Sequence, residues 1–449
     1  MPRAKVFTHD NGRIDSNLNL GLMNSNLEGK KLLVLGGNPE TVPLVEIANR
    51  LGVKTIVTSS VPNEPAKNVA WKSFDVNGMD VPAVVSLARD EQVDGVLVGV
   101  ADILVPAYCK VCAALGVPSY ATQEIVDIFA YKDVFKATCE RYGVHGVPEY
   151  FLDENLNQED IEKMKFPVMI KPVDGRSGMG MTVCQKPEDL KDAVKKALEV
   201  SNCKRFIVER YMGDSEDCFV YYTFKDGYCS LSCIADRYTT DEQPGLSRVC
   251  LGATYPSKYI KNYFSRMHNN AVRMFKNIGI RNGVLLMQAF YEDGEFYVYD
   301  PGFRLQGEAP HLHMKAINGF DQREMLIRFA LTGSEGNVDL QKQDDAYFKG
   351  KYAATLWTLL KQGKVAKIEG LEDIEKDTRV HIHIQRIHEG DVIDASWVGT
   401  EKQVFNRIYM VCDTKAQLKA AIKEYQDKIK VYDAEGNLMV LRGFDVNRI

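Results

Sequence analysis

The sequence predicts a multidomain protein of α/β and α+β class, and two observations carry that reading. From Lys30 to about residue 120, short and almost wholly apolar runs alternate with stretches of helical spacing, as the strands of a parallel sheet alternate with their covering helices. After Thr122 the strand-like runs follow one another through tight turns such as Lys225-Asp226-Gly227 and Glu292-Asp293-Gly294, which mark antiparallel hairpins.

In chain order, residues 1–29 are polar with weak periodicity and read as an N-terminal arm with one short helix. Lys31 to Leu35 (KLLVL) is a strand buried on both faces and ends in the turn Gly36-Gly37-Asn38-Pro39. A helix from Val42 to Leu51 stops at Gly52, and Lys54 to Thr58, Val81 to Glu91, Gly95 to Val98 and Pro106 to Leu115 continue the strand–helix alternation. Residues 30–120 therefore read as a Rossmann-like domain. Residues 121–338 read as an α+β domain. It opens on the helical stretch Gln123 to Gly143. Strands follow at Phe166 to Lys171, Met181 to Gln185, Arg205 to Tyr211, Cys218 to Lys225, Tyr228 to Ala235, Gly283 to Tyr291 and Glu295 to Tyr299. Helices lie at Pro187 to Ser201, Lys258 to Gly279 and Asp321 to Leu331. Residues 339–449 form a small C-terminal domain. It comprises a linker from Leu340 to Asp345, a helix or strand near Lys351 to Leu360, a hairpin of Arg379 to Ile387 with Asp391 to Val398, and a last helix from Thr414 to Ile429.

Composition narrows the function. With 45% hydrophobic and 26% charged residues the 449-residue chain can bury sizeable cores and is not a disordered protein. A net charge of -5 offers no strong positive field for nucleic acid or an anionic membrane, so neither is an expected partner. Ten scattered cysteines suit a reducing compartment. The first twenty residues lack the apolar core of a signal peptide, and the apolar stretch Val93 to Val117 is broken by Asp94, Asp102 and Lys110. A cytoplasmic protein is expected.

The chemistry concentrates in Met169 to Val183. A strand ends in Lys171, the loop that follows holds Gly175, Gly178 and Gly180, and a second strand begins at Met181. Backbone N–H groups of such a loop can surround phosphate oxygens while the lysine adds charge. It is neither a P-loop nor a dinucleotide fingerprint, because no Gly-Lys-Ser/Thr follows and the loop joins two strands. Lys132 lies upstream. Downstream, a strand ends at Glu209, Arg210, Tyr211 and Met212, and Glu216 comes soon after. Gln288 and Asp300 fall on two strands of one hairpin with Arg304 just beyond, oxygen donors that suit Mg²⁺ beside a cation for a transferring phosphoryl group.

Taken as an ordered set, these residues resemble the ATP-grasp superfamily over about residues 30–335, closest to the branch of carbamoyl-phosphate synthetase, biotin carboxylase and the purine-pathway and amino-acid ligases. The resemblance implies a central ATP-grasp fold between the Rossmann-like and C-terminal β-rich domains. It implies ATP with Mg²⁺, or Mn²⁺, as cofactors. Lys132 and Lys171 would be the two phosphate lysines, and Gly175, Arg176, Ser177, Gly178, Met179 and Gly180 the loop that closes over the phosphates. Glu209, Arg210, Tyr211 and Met212 would be the adenine hinge and Glu216 the ribose carboxylate. Gln288 and Asp300 would hold the metal, and Arg304 with Lys171 would act in catalysis. The implied reaction phosphorylates a small-molecule carboxylate and lets an amine displace the phosphate, in a protein that is often a homodimer.

One departure stands out: the run Asp300-Pro301-Gly302 puts glycine where the family usually has asparagine, and Asp300 is shorter than the usual glutamate. A reorganised metal site is expected. Arg237, His311 and His313 are candidates for substrate contact, and Arg248 and Arg281 could also face the cleft. Cys109 and Cys112, in CxxC spacing on a helix, read as helical core or surface cysteines, and His381 and His383 as a polar strand face. Carboxyphosphate and carbamate chemistry is the closest rival to amide formation, although no biotin-acceptor motif or glutamine-hydrolysing domain is visible. A non-catalytic nucleotide-binding protein is the rival of another class.

Overall fold

The structure is a computed structural model that describes residues 5–8, 27–175, 178–241 and 248–449. The apolar runs at the start of the chain form a four-stranded parallel sheet, in the order Lys72–Phe74, Lys54–Thr58, Lys31–Leu35, Gly95–Val98. Each helix between them carries its own stop and start signals. Asp80 caps Val81–Asp90 by accepting from the Ala83 N–H, and Gly116 in the left-handed region ends Val105–Leu115. The three-residue edge strand Lys72–Phe74 is too short and polar for periodicity to reveal. The loop after Gly95–Val98 carries Asp102 toward the middle of the molecule, at the carboxyl end of the parallel strands where ligands commonly bind.

A second, antiparallel sheet runs Glu149–Tyr150, Phe206–Arg210, Val168–Pro172, Thr182–Cys184. The helix Leu190–Val200 packs its apolar stripe of Leu190, Ala193, Val194 and Ala197 against it and closes a separate small core. The glycine-containing loop joins two neighbouring strands of this sheet.

The third sheet has nine antiparallel strands, in the order Lys5–Thr8, Val380–Gln385, Val404–Cys412, Tyr352–Leu359, Cys250–Tyr255, Tyr228–Thr239, Glu216–Lys225, Gly283–Glu292, Glu295–Gly302. Here the structure departs from the expected elements. Tyr352–Leu359 pairs with Cys250–Tyr255, so the C-terminal strands continue the central sheet rather than making one of their own. The expected hairpin of 379–387 with 391–398 does not form. Val380–Gln385 pairs with Val404–Cys412, and Val392–Ile393 pairs with Gly363–Lys364. The linker near 340 holds the short helix Leu340–Gln343. One apolar core extends from Leu27 to Ala346 and another packs the helix Lys415–Lys428 against the C-terminal strands. Among the described residues no helix is long and apolar enough to cross a membrane.

Candidate functional site

The last hairpin sets the centre of the site. Its register places Gln288 directly opposite Asp300, with a bulge between Gln288 and Ala289 that turns the strand there. The Asp300 carboxylate accepts from the Lys132 ammonium at 2.9 Å, and the same ammonium donates to the Gly175 carbonyl at 2.9 Å. Lys132 opens the helix Lys132–Tyr142, and its backbone N–H donates to the Val173 carbonyl. One lysine thus ties together the hairpin, the helix and the start of the glycine loop.

That loop is folded tightly. A Cβ on Gly175 would stand 2.3 Å from Pro172 Cγ, and Gly180 has φ +75° beside the Val200 side chain. Met179 at the tip is exposed, while Arg176 and Ser177 lie outside the described residues. Lys171 sits on the adjoining strand, buried, with its ammonium against Glu209 Oε2 and 5.4 Å from the centre of the Tyr299 ring. Glu209 Oε1 accepts from Lys136 at 2.8 Å. Burial alone would raise the Glu209 carboxyl, but the Lys171 and Lys136 ammoniums outweigh it and hold the group below its ordinary range.

Arg304 is oriented from three sides. Its Nε donates to Asp102 Oδ1 at 2.8 Å and its Nη2 to Asp102 Oδ2, while Nη1 donates to the Leu305 carbonyl and to Gln306 Oε1. A small cavity of about 70 Å³ is lined by Asp102, Lys132, Gly175, Asp300, Gly302 and Phe303. Gly302 faces Asp102 closely, since a Cβ there would lie 3.3 Å from Asp102 Oδ1. The space that an asparagine at 302 would enter is the space beside the carboxylate that holds Arg304. The oxygens of Gln288 and Asp300 remain as hard donors on facing strands, a set that fits Mg²⁺, which takes few protein ligands.

The remaining expected residues have partners of their own. Glu216 pairs with Lys258 at 3.7 Å and Arg448 at 3.3 Å. Arg210 pairs with Glu292 and donates to Met212 Sδ, and Tyr211 donates its backbone N–H to the Pro167 carbonyl. The two histidines expected at the substrate are buried in the helix His311–Asn318 instead. His313 Nε2 meets Thr355 Oγ1 at 3.0 Å and its ring packs on Tyr255, His381 and Tyr409, while burial pushes the His311 imidazole down to about 3. They are core histidines. His383 is buried too, and no group of three or more His, Cys, Asp or Glu that could hold a metal occurs among the described residues. Arg248 donates to the Gly213 carbonyl, and Arg281 supports the 225–228 turn through the Asp226 carbonyl.

Arg237 does reach a polar centre. It donates to Asp217 at 2.8 Å and lies 3.6 Å from Glu308, four residues beyond Arg304. Burial pushes the Glu308 carboxyl up to about 7, against the pull of Arg237. Glu308 Oε2, Arg237 Nε and the Tyr221 and Tyr255 hydroxyls are buried without a hydrogen bond. Asp102, Lys136 and Glu308 are the participants that sequence reasoning passed over. Asp102 was visible as an acidic residue interrupting an apolar stretch, and Glu308 as a carboxylate close behind Arg304.

Residues 132–334 match the family described as the carbamoyl-phosphate synthase L chain, ATP binding domain. Residues 132–334 are thus an ATP-grasp domain. The curated relatives include a formate-dependent phosphoribosylglycinamide formyltransferase of Wolinella succinogenes, 27% identical over 191 residues, which are 40% of this chain and 48% of that protein. The methylcrotonoyl-CoA carboxylase subunit alpha of Oryza sativa subsp. japonica is 27% identical over 324 residues, 67% of this chain and 43% of that one. The chain thus spans about half the length of the curated relatives it matches. Among solved structures, phosphoribosylglycinamide synthetase from Anaerococcus prevotii superposes with a TM-score of 0.72 at 16% identity, covering 90% of this chain and 100% of that one. An L-amino acid ligase from Bacillus licheniformis does so with 0.72 at 17%, covering 90% and 99%. These likenesses show a shared mixed α/β fold.

Proposed function

We propose that this protein is an ATP- and Mg²⁺-dependent ligase that activates a small-molecule carboxylate as an acyl phosphate and joins it to an amine. The observation that carries the reading is the convergence of Lys132, Gly175 of the glycine loop, Asp300 and the Asp102 that holds Arg304 around one cavity. Residues 121–338 are assigned as the nucleotide module, and residues 30–120 and 339–449 as the walls of the substrate cleft. The backbone at Glu209 to Met212 would take the adenine edge, with Glu216 near the ribose.

Lys132 and Lys171 neutralise phosphate charge, and the loop from Gly175 to Gly180 excludes water over it. Gln288 and Asp300 would hold Mg²⁺, which neutralises phosphate charge when bound. A substrate carboxylate oxygen attacks the γ-phosphorus and ADP leaves. Arg304 holds charge on the transferring group and on the acyl phosphate. An amine nitrogen then attacks the acyl carbon, phosphate departs and the nitrogen gives up a proton. Activation is required because a free carboxylate is a poor electrophile, and the protein contributes mainly position and charge.

A second reading is carboxyphosphate chemistry with bicarbonate in the carboxylate's place, favoured by the carboxylase among the relatives. The test is phosphate release from MgATP across amino acids, small carboxylates and bicarbonate. Release that needs one carboxylate–amine pair, and that falls at least ~100-fold in Lys171→Ala and Arg304→Ala, is the expected result. Stimulation by bicarbonate alone would favour the second reading, and ATP binding without release from any pair would favour a non-catalytic protein.

A further inference from the structure

Lys136 follows Lys132 by one helical turn, and no step of the proposed reaction uses it. Its side chain is 4% exposed, which a lysine accepts only when its charge is met. The ammonium donates to Glu209 Oε1 at 2.8 Å and to the Val147 carbonyl at 2.7 Å, and pairs with Glu149 as its third partner. All three of its donors are thereby used. Lys171, on the opposite side of the same carboxylate, meets Glu209 Oε2 and the face of Tyr299 among the described residues. Two ammoniums therefore share the single negative charge of Glu209, which is 1% exposed.

Resting on the nucleotide reading above, we propose that Lys136 is a positioning residue for nucleotide binding: by drawing on Glu209 it leaves Lys171 incompletely neutralised and free to turn a donor to phosphate. The reasoning is one of charge balance in a poorly screened place. Were residue 136 neutral, the whole charge of Glu209 would fall on Lys171, and phosphate would have to compete with a buried carboxylate for it. Glu149 acts in the opposite sense, since it draws Lys136 away from Glu209. Its side chain is 38% exposed, so it can be neutralised without leaving a buried charge.

The experiment is calorimetric titration of the full chain with MgATP, with circular dichroism to confirm folding. Lys136→Met and Lys136→Gln are expected to weaken binding about 10-fold, the glutamine variant keeping donors for Glu209 and Val147 so that it folds even where methionine does not. Glu149→Gln is expected to bind as tightly as wild type or up to ~3-fold tighter. A purely structural role would lower stability in the Lys136 variants and leave affinity alone. A folded Lys136→Gln protein that binds MgATP within about twofold of wild type overturns the proposal, as does a Glu149→Gln variant weakened as much as the Lys136 variants. Failure of wild type itself to bind, with Lys171→Ala as control, would remove the nucleotide reading and the proposal with it.

Discussion

At the scale of single residues, the glycine at 302 is understood from the position of Asp102. Gly302 lacks a side chain because Asp102 occupies the neighbouring space and holds Arg304 through both carboxylate oxygens. Restoring asparagine there should therefore harm rather than help. Gly302→Asn is expected to push Asp102 off Arg304 and to lower kcat about 10-fold or more with little change in KM for ATP, because the guanidinium acts on the transferring group. Asp102→Asn should give a similar loss, and the double variant less than the product of the two, since both act through Arg304. Steady-state kinetics on the carboxylate–amine pair found in the release assay checks this, and a Gly302→Asn enzyme with unchanged kcat would refute the coupling. The lysines, the glycine loop, Asp300 and Arg304 were legible because each sits at the end of a recognisable strand or helix. Asp102 and Lys136 were not, because their partners Arg304 and Glu209 lie 202 and 73 residues away.

At the scale of elements, the glycine loop shows how much backbone compactness the site demands. The loop turns back on Pro172, so a methyl group at 175 has nowhere to go. Gly175→Ala is expected to cost about 1–3 kcal/mol of stability, measured by denaturant unfolding, and to weaken MgATP binding by displacing the carbonyl that Lys132 holds. An alanine variant with wild-type unfolding and affinity would show that the loop opens freely. Elements with local signatures were read correctly: the parallel strands by their apolar runs, the hairpin strands by Asp-Gly turns, and the last helix by its length and charged exposed face, its start being fixed in the structure by a capping box of Thr414 and Gln417. Cys250–Tyr255 was not read as a strand. Gly252 interrupts its short apolar run, and its partners Tyr228–Thr239 and Tyr352–Leu359 are fixed by pairing across the sheet.

At the scale of the whole molecule, that one unread strand changes the architecture, because through it the C-terminal strands join the central sheet and bring His381 against His313, with His383 buried beside Asn406. The polar strand face expected from their alternation is a buried one, and it makes stability depend on pH. Burial pushes His311 down to about 3 and His381 and His383 down to about 4, so the native state leaves these rings unprotonated where the unfolded chain, near 6.5, binds protons. Stability from this source is present above about pH 6.5 and is lost as pH falls toward 4. Buried carboxyls oppose it, Glu308 and Asp344 most strongly. Burial raises Glu308 to about 7 and Asp344 to about 6, so the native state holds their protons longer than the unfolded chain, and stability from them declines as pH rises through the same range. His313 is likewise held well below its ordinary range by burial, so the buried imidazoles are expected to outweigh the carboxyls and stability to fall as pH drops from 6.5 toward 5. Urea midpoints measured across that range should fall with pH in wild type, and His381→Phe should flatten the slope by nearly one proton. A slope of opposite sign in wild type would mean that the buried carboxyls dominate and that the histidine-lined face admits water.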